Sequence, residues 1–326
     1  MNTYKIQIPF WTLIVAVCVA VPLVLDPNTS YLVYFLFMTF IYIALAQGWN
    51  LVAGYAGQVS LGMHAFFGLG AYVMAMLWSR HLVGYLDPVG LIAAGFGPGI
   101  LAILVGIPLL SKLKGDYFAL GTLGLGEILR LATIQGKDFT GGPGGIMLPS
   151  TSFSSIVPHY YIALFLAVFA VALTYGIVKS RIGLVLMAIR DAEPAASACG
   201  VNVLTFKVLA LALGAFIGGL CGALQANYLF HVEPEGFYNL NWMLYPVLMC
   251  VLGGPGTIVG PVIGAVFLSA GLETAKYFLP EIHPVFSGML IILVILFLPG
   301  GLVGGFKVAR LFGRRKGSAR SVHVRL

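Results

Sequence analysis

The sequence predicts an all-α membrane protein, a polytopic bundle of about ten (8–10) transmembrane segments, some of them broken or re-entrant. Three observations predict it. Of 326 residues, 60% are hydrophobic and only 9% are charged, against roughly 25% charged in soluble domains; the mean hydropathy of +0.98 points the same way. Apolar stretches close to the length of a bilayer crossing recur along the chain. Glycine and proline interrupt two of these stretches, far apart in the sequence.

The spans can be taken in order. Pro9–Leu25 follows Lys5 and superficially resembles a signal peptide. It is long enough to cross, has no A-x-A-like exit and is followed by further spans, so an uncleaved first helix is expected. Tyr31–Gln47, Ser60–Trp78, Val89–Leu110, Tyr117–Thr133, Tyr160–Val178, Val208–Leu229 and Val285–Val303 are further candidates. Between the last two, Met243–Leu252 is apolar but short, Gly253–Gly256 (GGPG) breaks it, and Ile258–Leu272 resumes. These read as two short or broken spans. A single transmembrane domain is expected over 1–306, with a hydrophilic loop at 179–207 and a basic tail at 307–326.

Charge sets the expected orientation. The net charge is +7, and residues 307–326 hold seven Lys and Arg with no acid. The remaining eleven basic residues balance the eleven acidic ones. A basic tail after an apolar segment marks the cytoplasmic side and does not call for a nucleic-acid partner. With the N-terminus inside and ten alternating spans, Lys5, Lys112, Lys114, Lys179, Arg181, Arg190, Lys207 and the tail share the cytoplasmic face. Both termini are then cytoplasmic. Cys18, Cys199, Cys221 and Cys250 form no CxxC pair, so neither disulfides nor a zinc site is expected. The glycines of Thr140–Gly145 (TGGPGG) are not followed by GK[ST], and the loop Gln135–Pro158 reads as a wide external turn.

Four constellations stand out. In the cytoplasmic loop, Pro194 suits the first turn of a short helix, with Asp191 and Glu193 at its positive end. Ala195–Cys199 continue the helix, Gly200 can close it in a left-handed conformation, and Asn202 or Thr205 can cap the next membrane helix. This two-turn helix with a small-residue surface is either a docking knob or an ordinary connector. Next, Ala210, Gly214, Gly218, Gly222 and Ala226 stand four apart, a small-residue ridge for close helix contact within the chain or with another subunit.

The interrupted stretches Asn50–Tyr72 and Leu252–Ala265 form the third constellation. Broken segments in both halves of a transporter often line the substrate route, which makes Gln58, Ser60, His64 and Gly254 candidate pathway residues. Close glycine packing with a re-entrant turn is the alternative. Last, Glu127 and Arg130 share a face of one span, and Glu273 and Lys276 repeat the spacing; structural ion pairing is expected in preference to a proton relay. There is no HExxH, GxSxG or Walker sequence, so no catalytic residue, metal site or cofactor is expected.

At these motifs the chain resembles the LivM-type permeases of branched-chain (hydrophobic) amino acid ABC transporters. The resemblance runs from about Asn50 to Gly301. It rests on NLVAGYAGQVSLGMHAFFGLGAY, GDYFALGTLGLGEILRLA at Gly115–Ala132, TGGPGGI at Thr140–Ile146 and GLVLMAIRDAEPAASACGVNVLTFK at Gly183–Lys207. It implies that the cytoplasmic stretch docks into an ATP-binding subunit, with Arg190, Asp191, Glu193, Ala195, Ala196 and Gly200 as coupling residues. Importer permeases commonly carry EAA…G there; Pro194 interrupts the EAA of this chain, and Ala195-Ala196-xxx-Gly200 is intact. The resemblance further implies a sister permease, two ATPase subunits, a periplasmic binding protein and a bacterial inner-membrane location. A urea or amide permease is the rival within the ABC class, and a cation-coupled secondary transporter the rival outside it.

Overall fold

The computed structural model describes residues 3–25, 30–149, 155–278, 289 and 301–302. The span expected at Val285–Val303 and the basic tail 307–326 therefore lie almost wholly or wholly outside the described residues. In the described part, helices run α1 (Thr3–Val24), α2 (Tyr31–Asn50), α3 (Met63–Ser79), α4 (Pro88–Lys112), α5 (Asp116–Gln135), α6 (Lys137–Thr140) and α7 (Val157–Lys179). They continue with α8 (Arg181–Ala198), α9 (Val203–Leu229), α10 (Pro234–Phe237), α11 (Asn241–Gly253) and α12 (Gly260–Phe278). A minimal antiparallel pair, β1 (Ile146–Met147) with β2 (His231–Val232), ties the loop after α6 to the end of α9.

Local chemistry sets the helix ends. The Asp87 carboxylate accepts from Val89 N–H at 2.8 Å, with Pro88 at the first helical position of α4, an arrangement that satisfies a free amide and presets φ. The Ser180 hydroxyl accepts from Ile182 N–H, and the Asn202 side chain accepts from Thr205 N–H. Of the two caps considered for the helix after the loop, Asn202 is the one in place.

Helix α9 is the hub, packed against α3 and α4 along their lengths and against α2 and α7. Its small-residue ridge explains how. A Cβ on Gly214 would stand 2.8 Å from the Gly48 carbonyl of α2, one on Gly218 would stand 3.1 Å from Met63 Sδ, and one on Gly222 would collide with the Phe67 carbonyl of α3. The ridge thus serves contacts within the chain. The register fixes direction: Gly95 of α4 lies against Leu220 and Gly106 against Leu211, so α4 and α9 run antiparallel. The ends bearing Lys112, Lys179, Arg181 and Lys207 therefore share one end of the bundle, and Asp87, His231 and Glu233 lie at the other.

Among the described residues, five helices are long and apolar enough to cross a membrane: Tyr31–Tyr55 (α2 with its π-helical extension), α4, α5, α7 and α9. Their outward residues, including Ile92, Phe96, Leu104, Ile107 and Phe165, are large, apolar and exposed, as lipid-facing surface requires. Helix α3 is shorter, at 17 residues, and α11 has 13.

Candidate coupling and translocation site

The first interruption begins where α2 widens. Leu51–Tyr55 form a π-helical turn, with Ala56 N–H donating to the Leu51 carbonyl. A π turn inserts an extra residue and leaves carbonyls free for other donors. Gly57 then reverses the chain at φ +69°. The Trp49 indole donates to the Ser60 carbonyl at 2.7 Å, and Leu61 N–H donates to Thr122 Oγ1 of α5 at 2.9 Å.

The second interruption ends α11 at Gly253, and Gly254 and Gly256 take φ +114° and +73°. Thr257 rebuilds the chain: its hydroxyl donates to the Gly254 carbonyl at 2.7 Å and accepts from Gly260 N–H at 3.0 Å, which starts α12.

The two interruptions meet, and Asn50 is where they do. This residue is fully buried. Its Nδ2 donates to the Thr257 carbonyl and its Oδ1 accepts from Gly256 N–H, each at 2.8 Å. One turn earlier, Gln47 Nε2 donates to the Ile258 carbonyl at 2.6 Å. Side-chain amides here replace the backbone partners that the breaks remove, which is how non-helical backbone survives away from water.

Helix α8 arrives at the same place. It contains a non-helical residue, Ala192 (φ −157°, ψ 86°), so residues 181–191 form one arm and 193–198 a second, short one. The second arm matches the expected two-turn helix with Pro194 in its first turn; the first arm is additional. Gly200 closes it at φ +84°. Arg190 ends the first arm, and its Nη1 donates to the Gly54 carbonyl at 3.0 Å while its Nε donates to Asp191 Oδ1 at 3.1 Å. Glu193 starts the second arm and pairs at 2.6 Å with Lys207 of α9, whose ammonium is almost wholly buried.

This geometry sorts the predicted residues. Asp191, Pro194, Ala195, Ser197, Ala198 and Gly200 are exposed on the loop. Ala196 is not on that surface: it is 6% exposed and packs into the chain. Arg190 is exposed and Glu193 half-buried, and both direct their charges to partners within the chain. Among the pathway candidates, Gly254 sits in the junction. Ser60 is buried, with its hydroxyl accepting from Gly62 N–H, and His64 is buried against Gly126 of α5. Gln58 is half-buried at the turn itself.

Sequence reasoning passed over Asn50 and Gln47 as site residues. Both are polar amides in an otherwise apolar helix, which was the available signal. It also missed the third member of the other charged cluster. Arg130 pairs with Glu127 as expected, and also with Glu235 beyond α9, each at 2.5 Å. Near that end of the bundle a hollow of about 240 Å³ is lined by Leu229, His231, Glu233, Gly236, Phe237 and Trp242.

Residues 31–295 match the family model described as the permease component of branched-chain amino acid transport systems. The chain belongs to that permease family. Among its relatives, the high-affinity branched-chain amino acid transport system permease LivM of Salmonella typhimurium is 30% identical over 82% of this chain and 68% of that protein. The probable LivM of Methanocaldococcus jannaschii is 27% identical over 64% of this chain and 65% of that protein. LivH of Salmonella typhimurium, a permease protein of the same kind of system, is 26% identical over 83% and 93%. No solved structure matches the chain. Family membership and the apolar helices indicate a multi-pass membrane protein.

Proposed function

We propose that this permease is the membrane-spanning, non-catalytic subunit of an ABC importer that carries branched-chain or other hydrophobic amino acids across the bacterial inner membrane. It would work beside a sister permease. Two ATP-binding subunits would supply the energy, and a periplasmic binding protein would deliver the solute. The basic residues gathered at one end support a cytoplasmic face there, with both termini on that side. About ten crossings follow if α1, α3, α11, α12 and the span at Val285–Val303 also traverse the bilayer.

The observation that carries the reading is the α8 segment. Its second arm exposes Pro194, Ala195, Ser197 and Ala198 at the basic end, and its charges brace it from behind. A small, smooth surface held this firmly suits mechanical contact with a partner. The ATPase dimer, closing on ATP, would displace this segment, and the permease would alternate between inward-open and outward-open states. A proton-coupled carrier would need a titrating acid in the membrane; Glu127 and Glu273 are each paired with a cation on the same helix face. Uptake by the reconstituted complex, measured for leucine, isoleucine, valine and urea, tests the proposal. ATP-dependent uptake of the three amino acids is expected, and uptake of urea alone would overturn the solute assignment.

A further inference from the structure

Three pieces of chain far apart in sequence converge within a few ångströms: the break after α2, the break between α11 and α12, and the end of the first arm of α8. Beside Gln47, which reaches the Ile258 carbonyl, two side chains make the connections. Arg190 Nη1 holds the Gly54 carbonyl at 3.0 Å, and a Cβ placed on Gly256 would stand 2.7 Å from that same nitrogen. A Cβ on Gly57 would stand 2.9 Å from Arg190 Cγ. The arginine therefore lies on both breaks at once. Asn50 binds both ends of the Gly256–Thr257 peptide turn from the helix side.

We infer that Arg190 and Asn50 form the joint through which displacement of the α8 segment reaches both broken helices. Both act as positioning residues: neither needs to touch solute or the ATPase. The inference rests on the ATP-driven reading above.

Three features favour a joint over ordinary packing. The backbone on either side can turn, because Gly57, Gly254 and Gly256 occupy the left-handed region or its neighbourhood, where only glycine moves freely. The kink at Ala192 separates the exposed second arm from Arg190, so a push on the second arm reaches the arginine as a lever movement. The hydrogen bond from the partly exposed Arg190 guanidinium to the buried Gly54 backbone is charge-assisted and directional, so it transmits a pull as well as a push. Glu193 with Lys207 gives the second arm a separate attachment to α9. The segment thus has one tether on the hub helix and one on the breaks, and relative motion of the two would open or close the junction.

The test uses the full complex, reconstituted in liposomes with loaded binding protein, and compares uptake per ATP hydrolysed. Arg190→Met removes the donors and keeps the stem. It should insert and retain the ATPase, while uptake per ATP falls about tenfold or more, within the usual range for coupling between sites. Arg190→Lys keeps a charge and a donor and should recover part of the loss. Asn50→Leu should uncouple in the same way. Wild-type uptake per ATP in Arg190→Met would overturn the joint. So would loss of the ATPase from that variant, which would make Arg190 a docking residue, or loss of the assembled complex in both arginine variants, which would make it a folding residue. If the unsubstituted permease itself fails to hold the ATPase, the ATP-driven reading falls, and the two failures remain distinct.

Discussion

Gly200 and Ala196 stand one helical turn apart and respond to substitution for different reasons. Gly200 sits at φ +84° with open space around its Cα, so Gly200→Val meets no clash but forces a β-branched residue into the left-handed region, at a cost of roughly 1–3 kcal/mol. The helix end should relax and the second arm lose its shape, with permease level in the membrane little changed on a quantitative blot. Ala196 is 6% exposed, so Ala196→Arg would drive a charge into packed chain and should lower the amount of folded permease itself. Glu127→Gln leaves Arg130 its contact with Glu235. A small loss of stability, about 1 kcal/mol or less, and an unchanged pH profile of uptake are expected; a shifted profile would revive a proton-coupled mechanism.

At the scale of elements, the ridge on α9 decides how closely three helices meet. The neighbour of Gly222 is the Phe67 backbone, which cannot yield, whereas that of Gly218 is the flexible Met63 side chain. Gly222→Leu should therefore abolish accumulation of the folded permease, while Gly218→Leu should leave a reduced but measurable amount, read as the monodisperse fraction in detergent. Equal and full recovery of both would contradict the packing described here. The sequence shows such elements well, because helix spacing, the four-residue ridge and breaks at Gly and Pro are local patterns. What lies between elements is less legible. That Asn50 would answer Gly256 and Thr257, or that Arg190 would turn inward to Gly54, depends on contacts across 136 to 207 residues of chain. No short-range signal encodes those pairings. The burial of Ala196 escaped for the same reason: a small residue fits an outer or an inner face equally well.

For the whole molecule, two claims matter: which face is which, and how force enters. Cys199 is exposed beside Gly200, and Met147 is 80% exposed at the opposite end. In spheroplasts, a membrane-impermeant thiol reagent should label Met147→Cys and spare Cys199, and permeabilising the membrane should expose Cys199. The central claim is that the α8 segment receives the ATPase, and Ala195→Arg tests it most directly. Ala195 is exposed on the second arm. Its replacement should leave insertion and folding intact while a long charged side chain occupies the docking surface. Co-purification of the ATPase from detergent, with permease level measured in parallel, should fall severalfold and ATP-driven uptake should fall with it. Full retention of the ATPase together with normal uptake would contradict the account and reduce the segment to a connector between membrane helices.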